Sequence, residues 1–255
     1  EIYTGIRHGK SLGSPIGLIL PNKDWKNWTV KMSAEPVDED IKKITLPRPG
    51  HADLAGIQKY DSDDIRNILE RSSARETAMR VALASICRKF LCEVGIEVGS
   101  RVIQIHTVKD ETLISENISL NTLNKKVDTS PVRCLDKKAE MKMIDAIDKA
   151  KNAGDSVGGV IEIIANGLPY GLGSHVQWDT KLHARIAESI MSVNAFKGIE
   201  IGMGFESAQQ LGSEVHDEIG WDGKKYIRYS NNAGGIEGGM SNAQPIIIRA
   251  VMKPI

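Results

Sequence analysis

Two rhythms of apolar positions run along this chain. A short apolar run at 15–20 (Pro-Ile-Gly-Leu-Ile-Leu), stopped by Pro21-Asn22, predicts a strand. Residues 21–47 are polar, with three prolines and two tryptophans, and predict an excursion with little regular structure. From Thr77 to Glu93 good helix formers dominate, and Ala78, Val81, Ala82, Ile86 and Phe90 recur on one helical face. Ser72 or Ser73 is the expected cap, Ser73-x-x-Glu76 matches a capping box, and Gly95 is the expected left-handed stop. Residues 100–108 alternate as a strand through Val102, Ile103, Ile105 and Val108, and 109–135 read as polar and irregular. A second helix is predicted from Asp136 to Ala153 and a strand over Gly158–Ala165. A third helix is predicted from Asp179, with Leu182, Ile186, Ile190 and Val193 on one face; strands then follow over Gly198–Met203 and Gln244–Met252.

Helices and strands come in pairs separated by long loops, which favours α+β layers over a βαβ series with short links. One internal echo accompanies this: Gly95-Ile96-Glu97-Val98-Gly99 follows the first helix, and Gly198-Ile199-Glu200-Ile201-Gly202 follows the third. It fits an internal duplication and equally fits the chemistry of any helix stop followed by a strand start.

Composition narrows the class. The 255 residues are 41% hydrophobic and 26% charged, which is a globular composition. Lys plus Arg and Asp plus Glu both number 33, so bulk charge gives no reason to expect a nucleic-acid partner, and any anion site must be built locally. No stretch approaches the roughly 20 apolar residues of a membrane span, and residues 1–20 lack the pattern of a signal peptide. Cys87, Cys92 and Cys134 are few and lack CxxC spacing, as in a reducing cytoplasm. The chain opens at Glu1-Ile2-Tyr3 and closes at Met252-Lys253-Pro254-Ile255 without polar tails, so a single domain over 1–255, incomplete at both ends, is expected.

Several familiar motifs are missing. There is no GxGxxG after a strand, no HExxH and no GxSxG; Gly9-Lys10-Ser11 lacks the earlier glycine of a phosphate-binding loop, and six histidines are scattered without metal-ligand spacing. What remains is an anion-site constellation. Arg71-Ser72-Ser73-Ala74-Arg75-Glu76-Thr77 places hydroxyls and guanidiniums at a helix start, where free N–H groups favour phosphate or carboxylate; an ordinary capped helix with a surface salt bridge reads the same. Arg48-Pro49-Gly50-His51-Ala52-Asp53 stiffens the backbone around a histidine able to exchange a proton, with Asp53 placed to orient it, although a lone histidine is more often structural. Four glycines in 234–239 allow close backbone approach to a ligand, or simply a flexible hairpin. A terminal strand delivers Lys253 beside Pro254.

Taken together, these segments resemble chorismate synthase. The strings are Arg48–Asp53, Arg71–Thr77, Met191-Ser192-Val193-Asn194-Ala195-Phe196-Lys197-Gly198, Asn232-Ala233-Gly234-Gly235-Ile236-Glu237-Gly238-Gly239 and Met252–Ile255, in the family's order, with Gly5–Lys10 and Gly212–Glu218 also fitting. The family's N-terminal Gly-Glu-Ser-His-Gly motif, which carries a second catalytic histidine, has no counterpart in this sequence, nor does its C-terminal Ser-Asp-x-x-x-Val-Pro stretch. The resemblance implies an α+β fold of layered helices packed between antiparallel β-sheets. It implies a carbon–oxygen lyase of aromatic amino-acid biosynthesis that converts 5-enolpyruvylshikimate 3-phosphate to chorismate and phosphate, by 1,4-anti elimination with reduced FMN. It further implies His51 as the proton handler, donating to the anionic reduced flavin. Substrate anions fall to Arg48 and Arg75, and flavin contacts to Arg71, Ser72, Ser73, Asn194, Ala195, Gly238, Lys253, Pro254 and Ile255. It implies a homotetramer, while the cysteines, charge balance and histidine spacing read above add the expectation of a cytoplasmic protein with no nucleic acid or membrane partner and no metal; NADP-linked supply of the reduced flavin is left open. The alternative is a truncated homologue that binds FMN or phosphate without turnover.

Overall fold

The computed structural model describes residues 1–114 and 118–255. The chain divides into two compact units, Glu1–Cys87 and Arg88–Ile255. The first unit opens with four short strands, β1 (Ile2–Thr4), β2 (Ile6–Arg7), β3 (Lys10–Ser11) and β4 (Gly17–Leu18), paired β1 with β4 and β2 with β3, both antiparallel. The strand expected over 15–20 is thus only two residues long. Residues 21–47 carry a single 3₁₀ turn, Trp25–Asn27, as their polar composition predicts. Helices α1 (Asp53–Tyr60) and α2 (Arg66–Leu69) meet where Gly56 lies against Ile68; a Cβ at Gly56 would come within 2.5 Å of Ile68 Cγ2. Helix α3 (Ala74–Glu93) begins directly after Ser73, the later of the two expected cap residues, and spans the boundary between the units.

Two expectations about α3 fail. Ser73 sits at φ +57°, in the left-handed region, not in the extended conformation of a capping-box serine. The predicted apolar face forms but is not covered: no α3 residue is buried, and Val81 and Phe90 are each 67% exposed, because no described element packs closely along it.

The second unit is built on a five-stranded antiparallel sheet. Its strands, in chain order, are β5 (Glu97–Ile105), β6 (Val108–Lys109), β7 (Gly159–Asn166), β9 (Phe196–Ile201) and β14 (Ile246–Met252), arranged β6-β5-β7-β14-β9. Helix α4 (Leu120–Val127) corrects the expectation of an irregular 109–135; residues 115–117 of that stretch lie outside the described residues. The signal was present but short: Leu120, Leu123 and Val127 stand on one helical face, fully buried, behind a Ser119 cap whose hydroxyl accepts from the Thr122 N–H. Helix α5 (Lys137–Asn152) starts at its expected cap, Asp136, which accepts from the N–H groups of Lys138 and Ala139. Helix α6 (Leu182–Met191) follows a separate 3₁₀ turn at Trp178–Thr180, so the third helix starts later than predicted and leaves Val193 beyond its end. The strand expected over 100–108 starts earlier, at Glu97, and is broken by a tight turn at His106-Thr107.

Alternation along the strands sorts the core. On one face Ile164 meets Leu120, Leu123 and Val127 of α4. On the other, Val102 and Ile105 meet Met143 of α5, while Ile163, Ile199, Ile201 and Ile248 meet Leu182, Ile186 and Ile190 of α6. The α4 face also carries a cross-strand row of alternating charge, Arg101↔Glu162↔Arg249↔Glu200. Within it Arg101 Nε donates to Glu162 Oε1 at 2.9 Å, and both residues are buried. The unit is completed by β8 (Tyr170–Gly173), α7 (Gly212–Val215), the β10–β11 hairpin (Ile219–Trp221, Tyr226–Arg228) and the β12–β13 hairpin (Ile236–Glu237, Met240–Asn242), with β13 pairing β8.

Candidate functional site

In the first unit the predicted proton handler and the predicted substrate cation converge on one carboxylate. The loop ahead of α1 carries Pro47, Pro49 and a left-handed Gly50 (φ +69°), a stiff path that brings Arg48 back over Asp53 in the first turn of α1. Asp53 is 1% exposed. Its Oδ2 accepts from the Arg48 backbone N–H at 3.1 Å and from Arg48 Nε at 2.9 Å, and its Oδ1 from Arg48 Nη2 at 3.2 Å. His51 Nδ1 makes a short contact with the same Oδ1. Arg48 Nη2 also lies 3.1 Å from His51 Nδ1 and 3.4 Å from Nε2, so ring and guanidinium touch.

The Arg48 guanidinium holds the Asp53 carboxyl well below the usual carboxylate range, against the cost of its burial, with smaller help from His51. Arg48 is reciprocally raised by the Asp53 hydrogen bond. The carboxylate is therefore ionised and has no hydrogen to give. Nδ1 of His51 must donate to it, which leaves Nε2 as the nitrogen that exchanges protons.

The start of α3 is less tidy than its sequence. Ser72 Oγ donates to the Ile68 carbonyl at 2.6 Å, so that hydroxyl is engaged with backbone. Arg71 is 84% exposed and lies 3.4 Å from Glu70 Oε2, and Arg75 Nη1 donates to the Glu70 carbonyl at 3.3 Å. Both guanidiniums therefore stay at the surface beside the helix start, with Ser73 between them in its left-handed conformation.

In the second unit Ala195 is brought to the terminal strand: the Lys253 N–H donates to the Ala195 carbonyl at 3.0 Å. Ala195 has φ +71°, a conformation that costs a residue with a Cβ and is enriched at ligand clamps. Asn194 precedes it at the surface, and Pro254 and Ile255 follow Lys253, both exposed. Gly238 and Gly239 form the two-residue turn between β12 and β13, with φ of +57° and +90°. The position a Cβ would take at Gly238 has nothing closer than Met240 Cε at 4.0 Å, so its backbone is open to close approach.

Two groups that organise this region carry no expectation from sequence. Asp217 clamps the strand-to-glycine link, accepting from Ser230 Oγ at 2.5 Å, the Asn232 N–H at 2.7 Å and the Ala233 N–H at 3.0 Å. Asn231 accepts from the Gly235 N–H at 2.9 Å and donates to the Pro245 carbonyl at 2.8 Å. An Asn-Asn pair ahead of a glycine run is the available sequence signal for such a clamp. No group of three metal-ligating side chains occurs among the described residues.

With this geometry in hand, comparison with known proteins is direct. A family model described as chorismate synthase matches residues 1–255. Chorismate synthase 2 of Bacillus cereus is 55% identical over 261 residues, covering 100% of this chain and 66% of that protein. Chorismate synthase of Enterococcus faecalis is 55% identical over 259 residues, with the same shares covered. A solved structure described as the crystal structure of chorismate synthase superposes with a TM-score of 0.84 at 45% identity, covering 100% of this chain and 70% of that one. The chain thus spans 66% of the length of the curated relatives it matches.

Proposed function

The chain belongs to the chorismate synthase family, and on that premise we propose that it carries out the chorismate synthase reaction. That is the loss of phosphate from 5-enolpyruvylshikimate 3-phosphate in a 1,4-anti elimination to give chorismate, a carbon–oxygen lyase activity in aromatic amino-acid biosynthesis. One observation carries the proposal: Arg48 and His51, a cation and a proton carrier, are locked together on one buried carboxylate. A substrate with a phosphate and two carboxylates needs such cations placed locally in a protein of zero net charge. Arg48 and Arg75 bind those anions. His51 holds a proton at Nε2 and gives it up there.

Reduced FMN, when bound, supplies electron density transiently to the C–O bond that breaks. The residues present fit it. Within the first unit, Arg71 beside Ser72 and Ser73 is a cationic helix start suited to a phosphate; within the second, taken separately, the left-handed Ala195 and the open Gly238 are backbone that a flat ring can approach, with Asn194 and the Lys253-Pro254-Ile255 segment beside Ala195. Three unpaired cysteines support the reducing cytoplasm as its compartment. No helix among the described residues is long and apolar enough to cross a membrane.

The test is turnover of the full chain with chemically reduced FMN and the enolpyruvyl phosphate, reading chorismate and inorganic phosphate together. Equal release of both is expected, and His51→Ala is expected to lower it by roughly 10²–10⁴-fold while FMN binding persists. FMN binding with no product from the unsubstituted chain would favour the truncated, non-catalytic homologue.

A further inference from the structure

We propose that Asp53 is the positioning residue of this site: one buried carboxylate fixes the His51 ring and the Arg48 guanidinium together, so that proton carrier and anion-binding cation move as a single body. The inference rests on the reading of Arg48 and His51 given above, and it adds a residue that touches neither substrate nor cofactor.

The geometry is more specific than a helix-start aspartate requires. An acidic side chain in the first turn of a helix is ordinarily content with the helix's own free N–H groups. Among the described residues, Asp53 accepts none of its hydrogen bonds from α1; those it accepts come from Arg48 and His51. The burial is lopsided in the same sense. The Asp53 side chain is 1% exposed, that of His51 22% and that of Arg48 58%. The anchor is sealed away and the two groups it holds face outward.

Its oxygens are divided between the two tasks. Oδ2 takes the backbone N–H and Nε of Arg48, which closes the 48–53 loop and sets the plane of the guanidinium with Nη1 turned to no described partner. Oδ1 takes His51 Nδ1 and Arg48 Nη2, which fixes the ring tautomer and presses ring and guanidinium together. This division predicts an asymmetric response to substitution. In Asp53→Asn, the two Arg48 bonds at Oδ2 claim the one remaining oxygen. The amide NH2 then faces His51 Nδ1, which must become the acceptor, and the ring proton moves to Nε2. Asp53→Ala removes both anchors.

The experiment reads the ring directly. The full chain is labelled with ¹⁵N-histidine, the His51 signals are assigned by their loss in His51→Ala, and ring nitrogens are correlated to carbon-bound protons at about pH 8, where an ordinary imidazole is neutral. The unsubstituted chain is expected to show the proton on Nδ1, and Asp53→Asn the proton on Nε2. In turnover, Asp53→Asn is expected to lower kcat by roughly 10²–10⁴-fold with KM for the enolpyruvyl phosphate little changed. Asp53→Ala is expected to lower kcat and also raise KM, because Arg48 is released.

An unsubstituted ring that carries its proton on Nε2 with none on Nδ1 would overturn the proposal without any variant. So would a folded Asp53→Asn chain that keeps the Nδ1 proton and a kcat within twofold of the parent. A residue with only a structural role would lower thermal stability in both variants and leave tautomer, kcat and KM of the folded fraction alone. Absence of turnover in the unsubstituted chain would sink the lyase reading but not this one, since the tautomer is read without substrate.

Discussion

Asp110 shows how one side chain ties acid stability to the second unit. Burial opposes its ionisation, but hydrogen bonds from Thr112 and from the Leu135 and Asp136 N–H groups outweigh that and bring it to about 2, from an ordinary 3.8. A carboxylate depressed in the fold contributes stability that is complete above its unfolded value and is lost as pH falls through its folded one. Asp110 is 5% exposed, so the full effect, about 2 kcal/mol, is available near neutral pH. The acid limb should lie between about pH 4 and pH 2. Asp110→Asn should cost about that much in urea unfolding at pH 7 and flatten the dependence below pH 4; an unchanged acid limb would show that the titration driving it lies elsewhere. The same carboxylate acts on Cys134, whose thiol is pushed up to about 11 by burial and then by the Asp110 charge, so it remains protonated. Only the Thr112 contact is local; the Leu135 and Asp136 N–H groups reach Asp110 across 25 and 26 residues of chain, which the sequence does not disclose. Asp53 was half legible: its distance of two residues from His51 marked it as an orienter, but its hold on Arg48 depends on a loop path that local pattern does not specify.

At the scale of elements, the helices divide by the strength of their local signals. Helix α5 was readable in full because cap, amphipathic stripe and glycine stop agree over a long run. Asp136→Ala removes a side chain that bonds two of the free N–H groups at its start and should cost about 1 kcal/mol in thermal or chemical unfolding; a loss under a few tenths would mean water replaces the cap at no cost. Helix α4 escaped because two turns of helix carry only three apolar contacts within a polar stretch. Strand ends shifted for a different reason. Register in an antiparallel sheet is set by partners distant in sequence: β5 extends back to Glu97 because Asn166 of β7 lies opposite it, a pairing across 69 positions. The left-handed backbone at Ser73 and Ala195 was equally hidden, since neither residue type advertises it.

The whole molecule adds what neither residues nor elements contain. The β10–β11 hairpin exposes Ile219 (59%), Trp221 (58%) and Tyr226 (64%), the last two stacked edge to face at 5.2 Å. Exposed apolar surface of this kind marks interaction sites and supports self-association, with a homotetramer the proposed state. Sedimentation of the full chain at micromolar concentration should show a species four times the protomer mass, and Trp221→Ser should weaken it; a stable monomer would count against the tetramer. The α+β class, the positions of α5, α6, β7 and β14 to within a few residues, and the family resemblance are all readable from the order of residues. These rest on local periodicity, on turn chemistry and on short strings that chemistry keeps together. Folding in three dimensions lets Asp53 anchor both Arg48 and His51, lets Asp217 and Asn231 brace the link that leads into the glycine run, and sets Arg101, Glu162, Arg249 and Glu200 in one sheet row. Those contacts join atoms the backbone brings together only after folding, and whether a buried charge finds its partner depends on distance in space, which spacing along the chain does not encode.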